Sequence, residues 1–147
     1  MTDNIKITGI DGDGLILGRA ATYIAKLLLS GETVVMINAE KVVISGGKRY
    51  IINSKKESMK IITHATPWRG PFHYRTPDRI IRRAIRGMLP WKKSRGREAY
   101  RRLRVYVGRP KEFEEQTCMT IPEAKLTDIN KPHMTVGNLS RELSWRE

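Results

Sequence analysis

The stretch TVVMINA, residues 33–39, is an unbroken apolar run in which β-branched side chains dominate. A strand with one wet face alternates apolar and polar residues, so a short continuous run marks a strand covered on both faces, as in a parallel sheet. Its flanks agree. NIKITGID, residues 4–11, alternates Ile5 and Ile7 with polar residues and ends in the turn DGDG. The following LGRAATYIAKLLLSG sets Ala20, Ile24, Leu27 and Leu28 at helical spacing, with Gly31 as C-terminal stop. Strand, helix and strand in this order form a β-α-β unit, which requires a right-handed crossover and a parallel sheet with helices on it. The predicted class is α/β. VVISGGKR reads as a short extension and turn, and residues 48–62 as a second helix with Ile52, Met59 and Ile62 on one side. At 147 residues the chain has the size of one domain, burying roughly two-thirds of the surface that its unfolded form exposes.

THATPWRGPFHYRTP, residues 63–77, contains three prolines and is expected to be an ordered surface loop. The next helix is the clearest in the chain. Thr76 is placed to cap it, Pro77 suits its first position, and Asp78 suits the positive end of its dipole. At 100° per residue, Ile80, Ile81, Ala84, Ile85, Met88 and Leu89 fill one half of the cylinder, and Arg79, Arg82, Arg83 and Arg86 fall together on the other. The helix stops before Pro90. A basic turn follows, then a shorter helix in GREAYRRL with Tyr100 and Leu103 inward, then a strand at 104–107. Beyond Gly108 the chain turns acidic and irregular, and TVGNLSRELSW closes it with a short helix carrying Leu139 and Leu143.

Charge is distributed unevenly. Of 28 basic and 15 acidic residues, the segment 69–111 holds 15 basic and 2 acidic, a net +13, which equals the excess of the whole chain. Such a concentration destabilises the folded state by self-repulsion unless a polyanion relieves it. An ordinary solvated helix face mixes signs, and opposite charges three or four residues apart each stabilise it by about 0.2–0.5 kcal/mol. The arginine face has only Asp78 nearby. In GREAYRRL, by contrast, Glu98 is in position to pair with Arg101 or Arg102. Arginine outnumbers lysine, and its planar fork suits bidentate phosphate contact and stacking on bases.

Trp68, Phe72, His73, Tyr74 and Trp91 are interleaved with Arg69, Arg75, Lys92 and Lys93, a mixture that favours RNA with unpaired bases over uniform duplex. Phe72 and Tyr74 are expected to anchor the loop to the core; Trp68 and Trp91 leave anchoring and stacking equally open. A DNA-binding helix-turn-helix is disfavoured by the long connection GMLPWKKSRG between the two basic helices. A membrane-surface helix would carry bulky aromatics on its apolar half, and this one carries none. Lys26 interrupts the best candidate for a span, Asp3, Asp11 and Asp13 oppose a transit peptide, and Cys118 is the single cysteine. A soluble protein of a reducing cytoplasm is expected.

The competing class is a nucleotide-dependent α/β enzyme. GIDGDGLILG follows a strand and opens a helix, and Glu40 lies where a ribose-binding acid would. However, Gly12, Gly14 and Gly18 are spaced G-x-G-x-x-x-G, and Leu15, Ile16 and Leu17 fill the stretch that a pyrophosphate would approach. These are read as structural glycines. His64, His73, His133 and Cys118 stand at no ligand spacing, so neither metal nor nucleophilic catalysis is expected, and no cofactor or small-molecule substrate is assigned.

DGDGLILGRAA, INAEKVVISG and, above all, RGPFHYRTPDRIIRRAIRGMLPWKKSRGREAYRRLRVYVG resemble the universal large-subunit ribosomal protein L-thirteen family. The likeness runs from about residue 5 to residue 110, and it is weakest over 112–135. RGPFHYRTP and TVGNLSRELSW resemble the archaeal and eukaryotic branch, and the lack of a long C-terminal extension favours the archaeal type. The resemblance implies a three-layer α/β/α fold around a mostly parallel sheet, with a basic helical segment and an irregular C-terminal extension. It implies a single domain, 1–147, made of a core, 1–111, and an extension, 112–147, packed on the core or on neighbours. It also implies a non-enzymatic role: binding large-subunit ribosomal RNA and supporting assembly and translation beside neighbouring ribosomal proteins, in the cytoplasm. The family's contacts fall on Arg69, Arg75, Arg82, Arg83, Arg86, Lys92, Lys93, Arg95 and Arg97. Charge and helical phase add Arg79 and Arg101, and aromatic character adds Trp68 and Trp91.

Overall fold

The computed structural model describes residues 7–113, 118–128 and 130–145. Its main sheet has three parallel strands in the order β1 (Ile7–Asp11), β2 (Thr33–Ile37), β4 (Leu103–Val105). β2 is central because it has no polar face: Val34, Val35, Met36 and Ile37 are all buried, and since successive side chains point to opposite faces, both faces of the sheet are covered. Between β1 and β2 runs α1 (Leu17–Leu29), which buries Ala20, Ala21, Ile24, Ala25 and Leu28; Leu27 lies half-buried at the margin. The chain then turns at Gly31, whose φ of 104° suits glycine.

β1 departs from the expected facing. Ile7 is 59% exposed, and the buried face carries Thr8 and Ile10 instead. Alternation alone does not say which set faces inward, and here a polar residue does: the Thr8 hydroxyl donates to the Glu32 carboxylate at 2.7 Å. Ile5 lies outside the described residues. The outer edge of β1 is occupied by the segment around Met119, which donates to the Gly9 carbonyl at 2.8 Å and accepts from the Asp11 amide at 3.0 Å, so the strand presents no bare edge there.

A second sheet pairs β3 (Val43–Ser45) antiparallel with β5 (His133–Thr135). Local pattern marks no strand at 133–135, because its partner is some ninety positions away. At the end of β5 the Thr135 hydroxyl accepts from the Asn138 amide at 3.3 Å and caps α5 (Val136–Glu142). Leu139 and, just past the helix, Leu143 are buried as expected. α2 (Lys48–Lys60) buries no residue fully; Ile51, Ile52 and Met59 rest half-buried against the core. Ile62 falls beyond the helix end and is exposed, not on its apolar side.

α3 (Pro77–Met88) packs along α1 and against β4. Ile80, Ile81, Ile85 and Leu89 are buried, each contributing about 1.5–3 kcal/mol from burial. Two expectations fail at its ends. The Thr76 hydroxyl makes no cap bond and is buried without a partner. Met88 is 42% exposed, where its sulfur accepts from the Thr22 hydroxyl at 3.4 Å. α4 (Ser94–Arg101) begins earlier than expected and buries Gly96 and Ala99; Leu103 is the first residue of β4, not part of the helix. Glu98 accepts from the Ser94 hydroxyl at 2.8 Å, so its partner is a serine, not Arg101 or Arg102.

Candidate nucleic-acid interface

The four arginines of α3 share one face because Ile80, Ile81 and Ile85 hold the opposite face against the core. None of the four forms an ion pair with a carboxylate among the described residues. Three are instead seated over aromatic rings from three separate segments. The Arg79 guanidinium lies 5.9 Å from the Tyr74 ring centre, Arg82 lies 5.1 Å from Tyr100, and Arg86 lies 4.0 Å from Trp91. Trp91 and Tyr100 meet edge to face, with centres 5.2 Å apart. Each cation–π contact contributes about 0.5–1 kcal/mol at a partly exposed site. They offset repulsion between neighbouring guanidinium groups without neutralising any of them, so the face keeps its charge while three of its side chains are positioned. Arg83 has no ring and is exposed.

The turn between α3 and α4 completes the surface. Residues 89–93 connect the helices, a much shorter link than expected, because α4 starts at Ser94. It closes through hydrogen bonds from Lys93 N to the Pro90 carbonyl (2.9 Å) and from Gly96 N to the Lys93 carbonyl (3.2 Å). A Cβ at position 96 would lie 2.2 Å from the Pro90 carbonyl oxygen, so any side chain there forces the turn and the helix apart. Trp91, Lys92 and Lys93 are thereby fixed beside α3. Together with Arg83, Arg86 and Leu89 they line an open groove of about 480 Å³. A second groove, of about 270 Å³, is lined by Tyr74, Arg79, Arg82, Arg83, Arg86 and Tyr100. The two share Arg83 and Arg86 and form one continuous cationic surface with flat aromatic groups beside it.

The remaining expected contacts lie outside these grooves. Trp68 is 71% exposed and Arg69 is exposed on the same loop; Arg75, Arg97 and Arg101 are exposed as well. Arg95 is turned toward the protein, donating from Nη2 to the Leu29 carbonyl at 3.1 Å. Beside it Arg102 donates to the Leu28 carbonyl at 2.8 Å. Two cations thus occupy the C-terminal, negative end of α1, which accounts for part of the basic excess by intramolecular means. This contact also holds α4 against α1, so the short link does not make a freely presented recognition helix. Phe72 is 66% exposed and does not anchor its loop; His73 does, through a 2.9 Å bond from Nε2 to the Ile61 carbonyl. Tyr74 and Tyr100 were not singled out as partners of arginine by sequence, since the pairings are tertiary.

Two glycines of the opening turn are structural, Gly12 by close packing and Gly14 by its φ of 68°, whereas Gly18 has open space around it. A Cβ on Gly12 would lie 2.9 Å from both the Ile37 carbonyl oxygen and Val42 Cγ2, which leaves no space there for a pyrophosphate. Glu40 accepts from the Gly108 amide at 2.9 Å. Among the described residues no three His, Cys, Asp or Glu side chains gather as a metal site, and no helix is long and apolar enough to cross a membrane.

A basic α/β scaffold of this kind has the build of a ribonucleoprotein component, and the comparisons agree with the class. The model of the family Ribosomal protein L13 matches residues 5–112. The large ribosomal subunit protein uL13 of Archaeoglobus fulgidus is 45% identical over 141 residues, covering 95% of this chain and 88% of its own length. Its counterpart in Methanococcoides burtonii is 44% identical over 93% of this chain and 97% of its own. That of Aeropyrum pernix is 42% identical over 93% and 89%. The chain belongs to the ribosomal protein L13 family, whose members are structural ribosomal proteins and not enzymes. The archaeal matches reach well past residue 112, so the C-terminal extension, where the likeness read from sequence was weakest, is shared with them.

Proposed function

We propose that the protein is a structural constituent of the cytoplasmic large ribosomal subunit that binds large-subunit ribosomal RNA through the arginine face of α3 and the turn beside it, and that it supports subunit assembly. The observation that carries this reading is the cationic surface around Arg79, Arg82, Arg83, Arg86, Lys92 and Lys93: it has no carboxylate partner among the described residues, and Tyr74, Tyr100 and Trp91 position Arg79, Arg82 and Arg86. Prepaid ordering of long side chains is what makes such a surface effective, since less entropy is lost when phosphates arrive. Arg69, Arg75, Arg97, Arg101 and Trp68 extend the contact at its margins, and Arg95 contributes whatever donors its bond to α1 leaves free.

In this reading the chain is one domain, with the extension packed on the core. The β3–β5 pairing, the Met119 bonds to β1, and the burial of Val136 and Leu139 support it. Coverage of both faces of the sheet supports a three-layer arrangement. The more acidic segment 112–147 is then the one assigned to neighbouring ribosomal proteins, and no small-molecule substrate is involved. The test is simultaneous charge reversal of Arg82, Arg83 and Arg86, followed by measured incorporation into large subunits. Loss of incorporation by a folded variant is the expected result; incorporation at the wild-type level refutes the assignment.

A further inference from the structure

A third basic site adjoins the two grooves, sharing Arg83 with both, and lies between α2 and α3 under the loop at 71–74. On α2 the half-buried face is Ile51, Ile52, Lys55 and Met59, so a lysine occupies the position that helical spacing would give to an apolar residue. Burial lowers the pKa of its ammonium, and the neighbouring Arg83 guanidinium lowers it further. Neither cation has a carboxylate partner among the described residues. They meet at a cleft of about 360 Å³ whose walls include Phe72, His73 and Tyr74 on one side and Ile80 on the other. That volume lies within the range of small-ligand sites, roughly 300–1,000 Å³. The bond from His73 to the Ile61 carbonyl ties the loop to the end of α2 and keeps the cleft formed, while the Phe72 ring stands exposed at its mouth.

We propose that this cleft takes one nucleotide unstacked from the bound RNA, its phosphate between Lys55 and Arg83 and its base on the Phe72 ring. The inference rests on the RNA-binding reading above. A recess of this volume, with half-buried Lys55 and exposed Arg83 on its wall and a bare aromatic at the rim, is too small for duplex and fits a single splayed-out residue, the form in which RNA is most often read by stacking. Arg83 also lines both grooves of the main face, so the nucleotide would adjoin the chain of phosphates tracked there.

The test uses the full-length protein bound to a large-subunit ribosomal RNA transcript, ultraviolet zero-length crosslinking, and mass spectrometric mapping of the crosslinked peptides. Crosslinks to Phe72, His73 or Tyr74 are expected, and Lys55→Gln should reduce them several-fold while leaving crosslinks at 91–93 unchanged. Phe72→Ala, at an exposed position that should not disturb folding, is expected to weaken RNA binding about 5- to 150-fold, the stacking contribution of one base. Crosslinks at 91–93 with none at 72–74 overturn the cleft assignment and leave the main reading intact. Crosslinks at neither place overturn both. AMP and UMP titrated into RNA-free protein separate the two sources of a nucleotide. Only weak, millimolar binding is expected, and micromolar binding at Tyr74 would give the cleft to a free nucleotide and refute the proposal.

Discussion

Gly96 offers a test of the architecture behind the cationic face. In a solvated helix Gly→Ala is stabilising by about 0.5–1 kcal/mol, because alanine loses less backbone freedom on folding. At position 96 the new Cβ would lie 2.2 Å from the Pro90 carbonyl oxygen and 2.5 Å from its carbonyl carbon. Both are backbone atoms of a hydrogen-bonded turn, so α4 and residues 90–93 must separate by more than an ångström. Overpacking of this kind costs about 1–3 kcal/mol. Set against the propensity gain, the net loss is up to about 2.5 kcal/mol, a fall in Tm of up to about 10 °C for a chain of this size. The same separation moves Trp91 away from Arg86 and Tyr100, so affinity for ribosomal RNA should fall with it although no charge is removed. Differential scanning calorimetry of Gly96→Ala beside Gly87→Ala gives the comparison. Gly87 is a helical glycine where an added Cβ would meet nothing within 4 Å beyond its own helix backbone, and its replacement should raise stability by about 0.4–1 kcal/mol. A Tm for Gly96→Ala equal to or above wild type would refute the reasoning.

Other substitutions probe separate joints. Trp91→Ala removes the ring under Arg86 and the edge contact with Tyr100, and should cost about 1–2 kcal/mol; RNA affinity should drop while its salt dependence stays unchanged, since no cation is lost. Arg102→Met removes the bond to the Leu28 carbonyl and should lower stability by about 1–2 kcal/mol, a typical value for a charged hydrogen bond at a helix C-terminus, seen as a lower urea midpoint. Thr76→Val deletes a buried hydroxyl without a partner, so thermal unfolding should show stability held or raised by up to about 1 kcal/mol, opposite to the loss of a working cap. For Lys55 the folded-state pKa lies below its unfolded value of 10.5. The unfolded chain therefore binds the extra proton between the two values, and the penalty from this group, full below the folded pKa, is relieved as pH rises toward 10.5. The stability difference between Lys55→Gln and wild type, measured by urea denaturation, should accordingly favour the variant at neutral pH and shrink as the solution becomes alkaline.

How far these features could be read in advance depended on whether their cause was local. β2 and α3 were legible because burial is written in their own residues, an unbroken apolar run and a 3.6-residue segregation of isoleucine from arginine. β5 was not, since three residues carry no periodic signal and their partner is β3. The facing of Ile7 was misjudged for a related reason: alternation reports two faces and not which one the core selects. The arginine face itself was predicted, but not what stabilises it, because Tyr74, Trp91 and Tyr100 reach it from a loop, a turn and another helix. Met88 sits at the end of the apolar half, where α1 no longer covers it completely.

The most direct measurement of the central claim is the salt dependence of binding between the folded protein and a large-subunit ribosomal RNA transcript, comparing wild type with the triple variant Arg82→Gln, Arg83→Gln, Arg86→Gln. Removal of three phosphate contacts should lower the magnitude of the slope of log affinity against log salt by about 2–3, with weaker binding at low salt. A triple variant that keeps both the wild-type slope and the wild-type affinity would contradict the account.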